Sequence, residues 1–195
     1  IAAGSDRILV FMQKKTSYDI NLRARNIAKK HGIRFKAFTS IGHVGETYDD
    51  LMMTKQWLIE ACPDDFDTTC ITIYPGTPIY EKRQFTGEHL GNNRVVRYVH
   101  ESKRPEENGA MLYFTETDYA NEFNWYKGRP KEYVSHVWTS DLSKEDLVKY
   151  RDEIEDDVRK ALNIPYPQRH SGDQYEHGMG QGRSPQDSRV ELRKD

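Results

Sequence analysis

The sequence predicts an α/β fold, and three observations carry that prediction. Residues 34–80 read as strand, glycine-rich loop, helix, strand and turn. The stretch before them reads as helix then strand, so the pattern repeats. The helix between the two strands is long enough to be a crossover, which makes them parallel neighbours in a buried sheet. Ligands of such units collect where strands end at their carboxyl termini. Both glycine-containing loops, Gly42-His43-Val44-Gly45-Glu46-Thr47 and Pro75-Gly76-Thr77-Pro78, fall at such ends, and the candidate site is placed on that rim.

Taken in order, residues 1–6 read as the tail of a buried strand running into a loop, with no initiator methionine or signal peptide, and the expectation is a fragment of a larger fold. Residues 7–13 predict a helical turn. Thr16-Ser17-Tyr18-Asp19 opens a helix whose inward face is expected to be Ile20, Ala24, Ile27 and Ala28, with Gly32 as its stop. A strand over 35–41 follows. Thr47, with Asp50 three residues on, caps a helix over 48–61 that Pro63 ends. The β-branched run at 68–74 predicts a second strand, buried on both faces.

Beyond residue 80 the character changes. Residues 81–93 are polar and read as a loop. Residues 94–100 and 110–115 alternate around the turn-forming 105–109 and predict an antiparallel hairpin. A helical turn at 118–125 and a short strand at 133–138 follow. Ser143-Lys144-Glu145-Asp146 opens the clearest helix, with Leu147, Tyr150, Ile154, Val158, Ala161 and Leu162 on one face. Its acidic residues Glu153, Glu155, Asp156 and Asp157 read as a solvated outer face. The expected organisation is residues 1–80 as the α/β part, 81–165 as a small α+β extension, and 166–195 as a disordered tail.

Composition excludes several classes. Of 195 residues, 31% are charged, and the mean hydropathy is -0.89. No apolar run is long enough to cross a bilayer. A net charge of -2 gives no electrostatic reason to expect nucleic acid. The two cysteines, Cys62 and Cys70, make neither a CxxC motif nor a disulfide framework, so a reducing, cytoplasmic setting is expected. The seven histidines show no metal-ligand spacing, and His43 alone sits at a site-like position. The aromatic run Tyr113, Phe114, Tyr119, Phe123, Trp125 and Tyr126 lacks a basic frame and reads as packing. The 42–47 loop, by itself, is a tight turn with an N-cap: it lacks the Lys-Ser/Thr pair of a Walker A loop.

Three motifs in order change this. Gly4-Ser5-Asp6-Arg7-Ile8-Leu9 with Lys14-Lys15-Thr16, then Gly42-His43-Val44-Gly45-Glu46-Thr47, then Tyr74-Pro75-Gly76-Thr77-Pro78-Ile79-Tyr80, resemble the later half of the radical S-adenosylmethionine barrel. The likeness is to its cobalamin-binding and methylthiotransferase-like branches and covers about the first eighty residues. It implies the later strands of a partial (β/α) barrel, followed by the small α+β extension. It also implies a rim holding S-adenosylmethionine over a [4Fe-4S] cluster, which cleaves it to a 5′-deoxyadenosyl radical, with cobalamin on an upstream domain. Carried over by position, Gly4 and Ser5 lie near the ribose or amino-acid part. Gly45, Glu46 and the Tyr74, Pro75, Gly76 and Thr77 turn lie by the adenine, and Gly42 is a further cofactor-binding candidate.

The chain departs from the family pattern in three places. Ala2 stands where an acidic residue is expected, and Val44 stands for the loop proline. The cluster-binding CxxxCxxC is absent from the chain, so it should not start a radical alone. The expected partner is the upstream half of the same barrel or another subunit, with the substrate unread. Two further readings use the same residues: an α/β barrel binding a phosphorylated ligand on this rim, and a non-catalytic module in which residues 94–162 dock on a partner.

Overall fold

A computed structural model describes residues 1–105, 107–116 and 133–165. The chain is mixed α/β. In order its elements are α1 (Asp6–Phe11), α2 (Tyr18–Lys30), β1 (Lys36–Ile41), α3 (Tyr48–Ala61), β2 (Asp65–Cys70), α4 (Pro78–Glu81), β3 (Gln84–Leu90), β4 (Asn93–Val99), β5 (Met111–Thr115), β6 (Val137–Thr139) and α5 (Lys144–Leu162). Strands β1 and β2 form a parallel pair, and β3-β4-β5-β6 form an antiparallel sheet in that order. The expected helical turn at 118–125, the aromatic residues Tyr119, Phe123, Trp125 and Tyr126, and the expected disordered tail lie outside the described residues.

The parallel pair runs in register from Lys36↔Asp65 to Ile41↔Cys70, with α3 as the crossover. Thr47 and Asp50 close a capping box at the start of α3, and Cys62 ends it in the left-handed region. The second strand begins earlier than the β-branched run predicts. Asp65 and Asp67 enter it because Lys36 on β1 pairs with both, at 2.9 and 3.1 Å. Past Cys70, Ile71 adds one ladder bond, from its N–H to the Ile41 carbonyl at 2.9 Å.

In β2 no residue is exposed, and Asp67, on the face opposite Phe66, is 7% exposed; β1 is covered on one face only. One face of the pair, with Ala37, Ile41, Phe66 and Cys70, packs into a core with Leu51, Trp57 and Leu58 of α3 and with Leu147, Ile154 and Val158 of α5. The other face leaves Phe38 43% exposed beside Lys36. The same core continues through Val96, Leu112, Phe114 and Val137 of the antiparallel sheet.

The two edges of the pair differ. Along β2, α5 stands where a further strand would. The Thr68 N–H donates to Glu155 Oε1 at 2.6 Å, Arg151 Nε donates to the Thr68 carbonyl at 3.0 Å, and Arg159 Nη2 to the Phe66 carbonyl at 2.7 Å. The Cys70 N–H donates to the Tyr133 hydroxyl at 2.8 Å. Side chains thus satisfy an edge that would otherwise template another strand. This corrects the reading of Glu155 as solvated: it is 5% exposed and paired with Arg159, itself 3% exposed. Along β1, Ser40 N–H donates to the Ala2 carbonyl at 2.9 Å, at the carboxyl end of the strand.

Helix α2 is also turned differently from its apolar spacing. Ile20 and Ile27 are 45% and 61% exposed, while Arg25 is buried with Nη2 donating to the Cys62 carbonyl at 2.8 Å. What sets the rotation is α3: Trp57 Nε1 donates to the Tyr18 carbonyl, and Tyr18 and Leu22 pack on the core. The 94–100 and 110–115 hairpin forms as β4 and β5. The loop expected at 81–93 contains β3 instead. It is an edge strand, exposed along most of its length, so no alternation of apolar residues marked it.

No helix among the described residues is long and apolar enough to cross a membrane. Exposed Phe38 on β1 and the apolar α2 stripe of Ile20 and Ile27 should associate or bind dye. The chain is therefore expected to enhance the fluorescence of a hydrophobic dye and to sediment as more than a monomer. A monodisperse, dye-silent monomer would mean that these surfaces are stable in water as they stand.

Candidate functional site

The rim is built from the ends of β1 and β2. Ile41 and Cys70 are register partners, so the segments leaving them start side by side at one end of the pair. After Ile41 the chain turns sharply, with Gly42 at φ +86 and Gly45 at φ +68, both in the left-handed region that glycine adopts without strain. The Glu46 N–H closes the turn on the His43 carbonyl at 3.0 Å. The Glu46 side chain folds inward, and Oε2 accepts the Gly42 and His43 N–H groups. Its other oxygen, Oε1, is buried with no hydrogen-bond partner. Burial pushes the carboxyl up to about 8 against these bonds, so it is held as the neutral acid near neutral pH.

His43 lies in the same loop and is 6% exposed. Burial lowers it to about 4, so the ring is neutral, and Nε2 faces the Ser40 carbonyl at 3.1 Å and the Ser40 hydroxyl at 3.0 Å. It holds the loop to β1.

Gly4 and Ser5 are tied to the rim through α3. The Gly4 N–H donates to Thr54 Oγ1 at 2.9 Å, and Ser5 Oγ donates to Asp50 Oδ1 at 2.6 Å. Arg7 then joins the two segments. Its Nε and Nη2 bond the Asp50 carboxylate, and Nη2 also reaches the Gly45 carbonyl at 2.7 Å. Burial alone would raise the Asp50 carboxyl, but bonds from Arg7, Ser5 and Thr47 outweigh it and hold the group below the usual carboxylate range. Sequence reasoning missed Arg7 altogether and gave Asp50 only a capping role. The signal was an Arg inside the first motif and an Asp three residues past the second, though nothing local pairs residues 43 positions apart. An open cleft of about 630 Å³ lies beside this network, lined among others by Gly4, Ser5, Arg7, Tyr18 and Met53.

The Tyr74, Pro75, Gly76 and Thr77 turn follows β2. Tyr74 is 40% exposed, and Gly76, at φ +85, has open space where a Cβ would stand. Thr77 Oγ1 donates to the Tyr74 carbonyl at 2.7 Å and caps α4, while the Gly76 N–H donates to Glu81 Oε1. These bonds stay within the turn. Hydrogen bonds thus bring Gly4, Ser5, Gly45 and Glu46 into one region through Asp50, Arg7 and the loop. The turn follows β2, whose end lies beside that of β1.

The three other glycines face protein. A Cβ at Gly4 would lie 2.5 Å from the Met53 carbonyl oxygen. At Gly42 it would meet Val137 at 2.9 Å and Leu147 at 3.2 Å, and at Gly45 it would meet Ala110 and Phe11, each at 3.2 Å. Thr139 Oγ1 also donates to the Glu46 carbonyl at 3.2 Å. The β-sheet extension and α5 therefore pack directly over the loop. Replacing Gly45 by valine combines a left-handed φ with these contacts, and a loss of about 2 kcal/mol of folding stability is expected. Denaturant unfolding of the variant checks this, and an unchanged midpoint would show that the loop relaxes freely.

Neither cysteine is poised for metal. Cys62 is exposed at the end of α3, and burial pushes the Cys70 thiol up to about 12. Among the described residues no group of three or more His, Cys, Asp or Glu could hold a metal ion.

No protein-family model matches the chain. Part of it is similar to a protein of Methanocaldococcus jannaschii that carries the name of a methylthiotransferase, with 32% identity over 79 residues. That stretch is 40% of this chain and 18% of the relative, so the chain spans less than a fifth of that relative's length.

Proposed function

We propose that this chain supplies the later strands of a radical S-adenosylmethionine barrel and the extension that walls its rim. The observation that carries the reading is geometric. Two glycine loops of family-like sequence leave neighbouring parallel strands at the same end, and the third motif is tied to the first of these loops through Arg7 and Asp50. The likeness to a protein named as a methylthiotransferase supports the same superfamily and an enzymatic role.

The residues present do not fit a [4Fe-4S] cluster. Ligation takes cysteine thiolates, and the chain offers two cysteines, one a buried neutral thiol. In this reading the cluster ligands, and any cobalamin, belong to further strands or to another subunit. The exposed Phe38 on β1 gives those strands a place to pack.

For S-adenosylmethionine the fit is to main chain rather than to a cavity. The open backbone around Gly76 and the exposed Tyr74 ring suit a nucleoside, whereas the spaces at Gly42 and Gly45 are filled by protein. When bound, S-adenosylmethionine supplies the radical chemistry, and these residues orient it. The packed extension keeps water from the loop.

Equilibrium dialysis of the chain against labelled S-adenosylmethionine tests the reading. Saturable binding that excess S-adenosylhomocysteine displaces is expected. Displacement by inorganic phosphate instead would favour a phosphorylated ligand on the rim. No binding, with stoichiometric recovery of one protein partner, would favour a docking module. Anaerobic incubation with iron and sulfide is expected to leave the chain without charge-transfer absorbance. A stoichiometric four-iron cluster would overturn the placement of its ligands elsewhere.

A further inference from the structure

The Gly4-Ser5 turn and the 42–47 loop come from distant stretches, yet a single carboxylate stands between them. Asp50, 4% exposed, accepts from Ser5 Oγ and from Arg7 on one side, and from the Thr47 N–H at 2.9 Å and Thr47 Oγ1 at 2.7 Å on the other. Arg7 adds a second link, since Nη2 serves both Asp50 and the Gly45 carbonyl. That double duty needs the planar fork of a guanidinium: a lysine ammonium could reach one acceptor or the other without the paired geometry. A buried carboxylate stripped of its cation is costly, so the pair has reason to stay closed.

We propose that Arg7 and Asp50 are positioning residues that lock the Gly4-Ser5 turn and the 42–47 loop into one rigid body. The two segments then present their main chain to a ligand together. Neither residue needs to touch that ligand. The Gly45 carbonyl, pinned by Arg7, fixes the peptide that carries the Glu46 N–H, and that N–H closes the turn on His43. Ser5, fixed by Asp50, caps α1 and sets the entry of that helix. The consequence for binding rests on the S-adenosylmethionine reading above. The mechanical coupling does not.

Hydrogen exchange read by mass spectrometry on the full chain, beside dialysis with S-adenosylmethionine, tests both parts. Arg7→Met is expected to raise exchange about tenfold in peptides covering 4–9 and 42–47 together, the effect of losing a charge-assisted hydrogen bond. Peptides of β4 and β5 should keep their protection. Arg7→Lys should rescue the 4–9 peptide through Asp50 but leave 42–47 loosened, because the Gly45 carbonyl loses its donor. S-adenosylmethionine affinity should fall about tenfold in Arg7→Met. In Arg7→Met, faster exchange in only one of the two segments, or in the whole chain alike, would overturn the coupling. Coupled exchange with unchanged affinity would overturn the positioning role. If the unaltered chain binds no S-adenosylmethionine, the cofactor reading falls, and the exchange data alone decide the coupling.

Discussion

Arg159→Met is expected to cost about 3–5 kcal/mol of folding stability, the penalty for breaking a buried ion pair from one side. Arg159 is 3% exposed and lies over the Phe66 ring, 4.6 Å from its centroid. Its Nε donates to Glu155 at 2.9 Å, Nη2 to the Phe66 carbonyl, and Nη1 to Asp65 and the Pro165 carbonyl. Methionine fills much of the volume but donates nothing. It strands the Glu155 carboxylate, already pushed up by burial, and leaves the Phe66 carbonyl on the β2 edge without this donor. The double variant Glu155→Leu with Arg159→Met should lose less than the sum of the singles, because it removes the uncompensated charge. It does not recover fully, since the Thr68 N–H loses its acceptor. Urea unfolding of the three variants measures this. A single-variant loss under about 1 kcal/mol would fall in the range of exposed pairs and would mean that α5 does not depend on the pair to seal the edge.

The second large effect is a pH dependence centred on Glu46. Its carboxyl titrates near 4.5 in the unfolded chain and near 8 when folded, raised chiefly by burial. Between those values the unfolded state releases a proton that the folded state keeps. Its contribution to stability is therefore full below pH 4.5 and is lost as pH rises toward 8, at about 1.4 kcal/mol per pH unit. Other groups add their own slopes, so the informative quantity is the difference between variants. Glu46→Gln keeps an acceptor for the Gly42 and His43 N–H groups and has no proton to lose. It is expected to match the original chain near pH 5 and to exceed it progressively toward pH 8. Glu46→Ala should be weaker near pH 5, because two buried N–H groups lose their acceptor, at about 1–3 kcal/mol each, and its deficit should shrink toward pH 8, where the original chain must bury a charge. Melting curves across pH 5 to 9 would show it. Parallel profiles for the original chain and Glu46→Gln would place the Glu46 titration in its ordinary range.

Local signals made part of this molecule readable in advance. Thr47 with Asp50, and Ser143 with Asp146, write the starts of α3 and α5 into four residues each, and both capping boxes form. Asn163 and Gly32 mark helix ends by the left-handed backbone they adopt. The β4–β5 hairpin shows because its inner row, Val96 with Phe114, must be apolar. The glycines of the 42–47 loop, and their place at the end of a strand, follow from the same short-range logic.

Tertiary structure decided the rest, each time because a residue's environment came from far along the chain. Asp65 and Asp67 belong to β2 only because Lys36 lies opposite them. Glu155 is buried because β2 has an edge to satisfy, with its Thr68 N–H 87 positions away. Ile20 and Ile27 face outward because Tyr18 and Leu22 are what α3 accepts. What stands beside Gly42 and Gly45 was also set at a distance, by Val137, Leu147, Phe11 and Ala110. Caps and turns are written in neighbouring residues, where backbone geometry alone selects them. Buried charge, strand edges and the contents of a glycine's empty side depend on partners that only the folded chain brings within reach.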